Sequence, residues 1–250
     1  MAFVHSVLDG SMPGTVHADD AEAPRSAVVV NNSGWAFAIG QPRGDLVAAW
    51  LPRFLDNYLP GQPTGLWATS DGWRAALDPL FARYEWRTEY HLGTALEPRP
   101  ASVLPKDWSL RRIDGSLARQ FQGRVDPWVV EIWGGADALA ERAGGWAVVR
   151  GDGVLASFCC ACAVGGPPGE VEAEIEIGTA PDSRQRGVAA AAAEAFFGEC
   201  GERGWLPAWT CGTGNVPSAR LAERLGFVPF RQVTGYPISK EMRLTGNWWV

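Results

Sequence analysis

Apolar positions along the chain recur at two spacings, every second residue or every three to four, and the change between them predicts the elements. Ala27–Asn31 and Trp35–Ile39 are short apolar runs on either side of Asn32-Ser33-Gly34, which predicts a β-hairpin. Asp45 then opens a helix through Tyr58, with Leu46, Ala49, Trp50 and Phe54 at helical spacing. Leu66–Thr69 predicts a short strand, Ser70 or Asp71 a helix start running towards Phe81, and Trp86–Leu92 another strand. Ahead of these, Met1–Pro24 is polar and rich in small residues, with one candidate strand or turn near Gly14–His17.

Glu97–Asp107 carries three prolines and little periodicity, and it reads as a linker. That divides the chain into an N-terminal α/β lobe over residues 1–100 and a second domain over 106–250. In the second, Trp108–Ile113 predicts a strand, and Asp114–Phe121 and Pro127–Arg142 predict helices, the latter interrupted near Trp133-Gly134-Gly135. Trp146–Arg150 and Val154–Val164 are strands around Gly151-Asp152-Gly153, and Val171–Thr179 is a third. A long Ala-rich helix over Arg184–Arg203 follows, then a strand at Ala208–Cys211, a helix at Ser218–Leu225 and a last strand at Val228–Pro237. Antiparallel hairpins with one strand–helix–strand crossover make the class α+β. The first half carries a shorter version of the same pattern, without a sequence-level repeat.

The segment richest in chemistry is Glu174–Ala189, EIEIGTAPDSRQRGVA. Here a strand ends, a turn follows and a helix opens. An opening helix has unpaired backbone N–H groups and the positive end of its dipole, which together bind phosphate. Gly187 and Ala189 keep bulk away, and Arg184 and Arg186 add positive charge. Upstream, Glu172, Glu174 and Glu176 alternate with apolar residues, so period two puts all three carboxylates on one strand face. Downstream, Trp209–Asn215 ends a strand and turns. Pro217 and Ser218 sit where a helix begins, and Gly226 suits a left-handed helix end.

Together these segments resemble the GNAT acetyltransferase superfamily. Its acyl-CoA loop, Arg/Gln-x-x-Gly-x-Gly/Ala, is matched by Arg184 to Ala189. Its later signature, an Asn, a short helix and a Leu-Gly-Phe ending, is matched by Asn215 and Leu225-Gly226-Phe227. Within the superfamily the chain is similar to a bacterial group with an extra N-terminal region, through Trp133-Gly134, Glu174-Ile175, Ile177, Thr179, Trp209-Thr210-Cys211 and Ser218–Ala222. The specific part of the likeness covers Trp108–Pro237, and a looser part Gly14–Gly40.

The resemblance implies a GNAT-like mixed central sheet flanked by helices in the C-terminal half. Whether the smaller N-terminal lobe is a degenerate second GNAT-like lobe or an unrelated cap stays open. The co-substrate implied is acetyl-CoA, with no metal. The backbone of Gln185, Arg186, Gly187, Val188 and Ala189 is to hold the pyrophosphate beside Arg184. Ile177 and Thr179 are to pair with the pantetheine arm, with Asn215 and Ser218 opposite, and the next strand is to splay away and leave a slot for the thioester. An ammonium with a pKa near ~10.4 must lose a proton before it attacks. Glu174 is the favoured base, Glu176 the next, and Glu172 a substrate contact. Trp133 either borders the acceptor pocket or packs in the core. The family's Tyr four residues before the final Gly is Ala222 here, which leaves water, Tyr236, Thr210, Cys211 or Ser218 to protonate the leaving thiolate.

Composition narrows the setting. A net charge of −6 argues against a broad nucleic-acid surface and mildly favours a cationic substrate. Thirteen Trp make aromatic-lined pockets expected. The cysteines are odd in number, Cys159, Cys160, Cys162, Cys200 and Cys211, and no secretory pattern precedes them, so they read as core thiols in a cytoplasmic protein. No segment is apolar for the ~18 residues of a membrane span. The leading expectation is an N-acetyltransferase acting on a small-molecule amine. A protein or peptide N-acetyltransferase and a non-catalytic acyl-CoA-binding sensor are the alternatives, and a homodimer through Trp248-Trp249 stays open.

Overall fold

The computed structural model describes residues 1–57, 64–81, 85–92 and 102–238. The expected helix end at Tyr58, the first part of the linker and the Trp248-Trp249 pair lie outside them. In chain order the elements are α1 (Ala2–Leu8), β1 (Gly14–Ala18), β2 (Ser26–Asn31), β3 (Ala36–Gly40), α2 (Gly44–Asn57), β4 (Gly65–Ala68), α3 (Asp71–Leu77) and β5 (Glu85–Leu92). After the proline-rich stretch come β6 (Ser109–Arg112), α4 (Gly115–Arg119), α5 (Trp128–Ile132), α6 (Ala136–Arg142), β7 (Gly145–Val149), β8 (Leu155–Gly165) and β9 (Glu172–Thr179). Then follow α7 (Val188–Arg203), β10 (Leu206–Gly212), α8 (Val216–Arg224) and β11 (Phe227–Pro237).

Local chemistry explains most boundaries. Ser70 caps α3 by accepting from Trp73 N–H, Asp114 caps α4 by accepting from Leu117 N–H, and Asn215 caps α8 by accepting from Ser218 N–H. Gly134 and Gly135, with φ of +84° and +130°, interrupt the expected helix between α5 and α6. Helix α1 was not expected. Its Ser and His hide an apolar face on which Phe3, Val4 and Val7 are buried against the sheet.

The eleven strands among the described residues form one sheet, in the order β1-β2-β3-β4-β11-β5-β10-β9-β8-β7-β6. Only β3–β4 and β9–β10 are parallel, and each pair is joined through a helix, α2 or α7. The class is the α+β that the pattern predicts, and the mixed sheet flanked by helices is the one that the resemblance implies, but it continues through the first half as well as the second. From β1 and from β7 onward the two halves run through the same order of three strands, helix, strand, helix and strand, and they exchange their last strands. β5, which ends the first half, pairs with β10, while β11, which ends the second, pairs with β4 and β5.

The core lies on both faces of this sheet. Val28 and Val30 of β2 pack towards α2, and Val29 packs towards α1, so the strand is apolar on both sides. On α7, Ala190–Ala193 are buried and let the helix approach β8 closely, with Phe196 and Phe197 filling the space beyond. A fully buried Phe contributes about 1.5–3 kcal/mol, so these two rings anchor the helix whose first turn faces the cleft described next.

Candidate active site

The stretch expected to bind phosphate is a loop before the helix. We expected a helix from Arg184, but α7 begins at Val188. Gln185 and Gly187 have φ of +60° and +76°, left-handed values that a right-handed helix cannot contain. The N-terminus of α7 has no side-chain cap, and a Cβ placed on Gly187 would meet nothing within 4 Å. The bare tip opens onto a cleft of about 880 Å³. Arg184, Gln185, Arg186, Gly187, Val188 and Ala189 form one wall, Asn215 and Ser218 the other, with Ile177 and Thr179 between. Uncapped N–H groups, the helix dipole and two guanidiniums make this wall an anion site, and it fits a diphosphate.

The cleft continues into a slot between two parting strands. β9 and β10 pair only from Leu206↔Glu172 to Ala208↔Glu174, although both run further. Beyond that point they diverge around a space of about 520 Å³, with Glu176 and Ile177 on one side and Thr210 and Cys211 on the other. Asn215 Oδ1 is taken by Ser218 N–H at 3.3 Å, which leaves its amide N–H₂ for the slot. Ser218 Oγ accepts from Trp209 Nε1 at 3.1 Å.

The slot in turn meets a smaller chamber of about 90 Å³ at the centre of the sheet. Period two on four adjacent strands collects its polar groups on one face: Glu174 and Glu176 of β9, Thr210 of β10, Arg87 and Glu89 of β5, and Arg231 of β11. Phe3, Trp35, Phe37 and Trp67 from the first half line it as well, with Trp128 of α5. Arg231 is bound to Glu89 at 2.6 Å. What remains accessible of Glu174 and Glu176 faces this chamber and the slot; both are otherwise surrounded by protein. Burial pushes each carboxyl up to about 7, opposed by the Thr210 hydroxyl at Glu174 and the Trp128 indole at Glu176. Glu176 borders cleft, slot and chamber alike, whereas Glu174 borders the chamber.

Other expected residues lie elsewhere. Glu172 pairs with the Met1 amino group. Trp133 is in the core, its Nε1 donating to Ala161 O at 2.9 Å, and the chamber's aromatic from this region is Trp128. Tyr236 is buried in the first half with its hydroxyl on Asp78, so of the proposed proton donors only Thr210, Cys211 and Ser218 border the slot. The Tyr90 hydroxyl lies beside Cys211. All five cysteines are free and buried, and among the described residues no cluster of His, Cys, Asp and Glu is placed to hold a metal ion. Sequence reasoning missed Arg87, Trp35, Trp67 and Trp128. A single Arg on a polar strand face, or a Trp in an apolar run, carries no sign of which cavity it will line.

The model of the family described as GNAT acetyltransferase matches residues 1–236. The uncharacterized N-acetyltransferase YdfB of Bacillus subtilis (strain 168) is 29% identical over 243 residues, which is 94% of this chain and 88% of that one. A GCN5-related N-acetyltransferase-like protein from Streptococcus suis 89/1591 superposes with a TM-score of 0.69 at 23% identity, covering 92% of this chain and 90% of that chain. A tandem GNAT protein from the clavulanic acid biosynthesis pathway superposes with a TM-score of 0.59 at 11% identity, covering 88% and 81%. At these identities the two solved structures speak to the fold alone.

Proposed function

Because the chain belongs to the GNAT acetyltransferase family and is an acyl-CoA-dependent acetyltransferase, we propose that it acetylates the primary amine of a small molecule, with a carboxylate of β9 as general base. The observation that carries this reading is the small chamber at the end of the slot, lined on one side by residues of the first half. Its volume of about 90 Å³ holds about six waters at ~15 Å³ each. That suits the amine-bearing end of a small molecule. A protein or peptide acceptor calls for a long groove, and residues of the first half narrow the space here.

Bound acetyl-CoA supplies the thioester: the amine nitrogen bonds to its carbonyl carbon, the C–S bond breaks, and the thiolate leaves to take up a proton. The chain's own groups do the rest. The loop from Gln185 to Ala189 grips the diphosphate through backbone N–H groups, and Ile177, Thr179 and Asn215 orient the arm along the slot. Glu176, at the junction of slot and chamber, takes the amine's proton, and Glu174 holds the incoming ammonium beside it. A carboxyl raised to about 7 lies nearer an ammonium's pKa of ~10.4 than an ordinary one does, which makes the transfer less uphill. The net change is ammonium plus acetyl-CoA to amide, CoA thiol and one proton. Five free cysteines suit a reducing cytoplasm, and no helix among the described residues is long and apolar enough to cross a membrane.

Such a base works only when ionised, so kcat/KM is expected to climb with pH and level off above about 7. The Trp128 indole holds the Glu176 carboxyl down. In Trp128→Phe the inflection is therefore expected to move to higher pH, and a pH–rate profile of both proteins reads the shift. An inflection that stays in place refutes the indole's role. A thiol-release assay with acetyl-CoA, a panel of free amines and a set of peptides tests the function itself. Turnover on free amines supports it, turnover on peptides alone favours the protein acceptor, and tight CoA binding with no turnover on either makes the chain a sensor.

A further inference from the structure

The charges in the chamber are unevenly matched. Arg231 is bound to Glu89, the Thr210 hydroxyl lies against Glu174, and the Trp128 indole lies against Glu176. Arg87 stands apart. Its guanidinium carbon lies 5.0 Å from the centroid of Trp35 and 5.2 Å from that of Trp67. Among the described residues it makes no ion pair or side-chain hydrogen bond with any carboxylate. The Trp67 ring is held by close packing on β11, where a Cβ on Gly235 would come within 2.2 Å of it. Gly235 is therefore the residue that lets this ring lie where Arg87 stacks.

Contact with the two ring systems through the guanidinium carbon uses none of its N–H groups as hydrogen-bond donors to a carboxylate. The N–H edge of a guanidinium matches a carboxylate through two parallel hydrogen bonds. Arg87 borders both the slot and the chamber, as Glu176 does, so a cation and two carboxylates face one small space.

We infer that the acceptor is an amino acid, an ammonium and a carboxylate on one small skeleton, with Arg87 binding its carboxylate while Glu174 and Glu176 receive its amine. This rests on the acetyl-transfer reading and adds the substrate class to it. The aromatic wall of Phe3, Phe37 and Trp67 then takes the apolar part of the skeleton. Arg87 acts chiefly on binding, by setting the distance from carboxylate to amine, and bears on the proton transfer through its charge alone, which lowers the Glu174 and Glu176 carboxyls.

The test compares matched pairs: L-phenylalanine with phenethylamine, L-leucine with isoamylamine, and γ-aminobutyrate with propylamine. Thiol release from acetyl-CoA is followed with the full-length protein. The inference expects the acid of the best pair to win in kcat/KM by about 10- to 100-fold, the range of a charge-assisted hydrogen bond. It expects Arg87→Met to reduce that ratio at least tenfold, mainly through KM, with Arg87→Lys in between. Equal use of acid and amine by the wild type overturns it, and so does an unchanged ratio in Arg87→Met. If Arg87→Met fails to fold by thermal melting, the wild-type ratio and the Lys variant decide. Turnover on the amines without preference for the acids removes the Arg87 assignment and leaves acetyl transfer standing. No turnover on any pair by a protein that binds acetyl-CoA removes both.

Discussion

Replacing Glu176 by Gln is expected to lower kcat about 100- to 10,000-fold, the usual worth of a positioned general base, while leaving acetyl-CoA affinity within a few-fold of wild type. Glutamine keeps the size and one hydrogen-bonding oxygen but cannot take a proton. Glu174→Gln is expected to raise the KM for the amine more than it lowers kcat, because Glu174 holds the ammonium from deeper in the chamber. Steady-state thiol release at saturating amine across pH 5–9 separates the two. A Glu176→Gln enzyme with wild-type kcat at every pH removes this residue as the base, and a larger kcat loss in Glu174→Gln exchanges their roles.

Stability guards this test against a trivial explanation. Each carboxyl is raised from 4.5 to about 7 in the folded protein. Between those values the folded state binds more protons than the unfolded one. The contribution of each group to stability is therefore fully present below about pH 4.5 and lost as pH rises through 7. A Gln variant has no charge to bury, so it is expected to melt above wild type at pH 8, with the gap closing towards pH 5. A variant that loses turnover while gaining Tm has not lost activity by unfolding.

Gly187→Glu is expected to abolish measurable acetyl-CoA binding. Two effects add. The residue sits at φ +76°, a conformation that costs an L-residue about 1–2 kcal/mol. The new carboxylate would also stand where the phosphates dock, and two unit charges 4 Å apart repel by about 4 kcal/mol at an effective dielectric of 20, or about a thousandfold in affinity. Gly187→Ala carries the strain without the charge and is expected to bind about tenfold more weakly than wild type. Space is not the obstacle, since nothing lies within 4 Å of the new Cβ, and both variants are expected to fold. Titration calorimetry with CoA reads the difference. Equal affinity in Gly187→Glu and wild type would put the diphosphate somewhere else.

Much of this protein can be read from its residue order because the causes are local. The hairpin at Asn32-Ser33-Gly34, the caps at Ser70, Asp114 and Asn215, and the break at Gly134-Gly135 each depend on a few neighbouring residues. The carboxylates of β9 share a face by period two alone, and the loop from Arg184 to Ala189 announces itself by its glycine, its arginines and its place between a strand and a helix. Where local signals misled, two left-handed residues were the reason: Gln185 and Gly187 delay α7 to Val188. The short helix α1 was missed because seven residues are too few for a periodicity to stand out.

The chamber beside the slot was decided by tertiary structure. β11 lies between β4 and β5, and β5 lies between β11 and β10, pairings that join residues more than a hundred positions apart. Strand pairing is driven by backbone hydrogen bonds that are the same for every residue type, so the side-chain pattern of β5 says that Arg87 and Glu89 share a face without saying which strand they will lie beside. Exchange of the last strands sets that neighbour, and with it brings the Arg87 guanidinium from the first half to the carboxylates of the second.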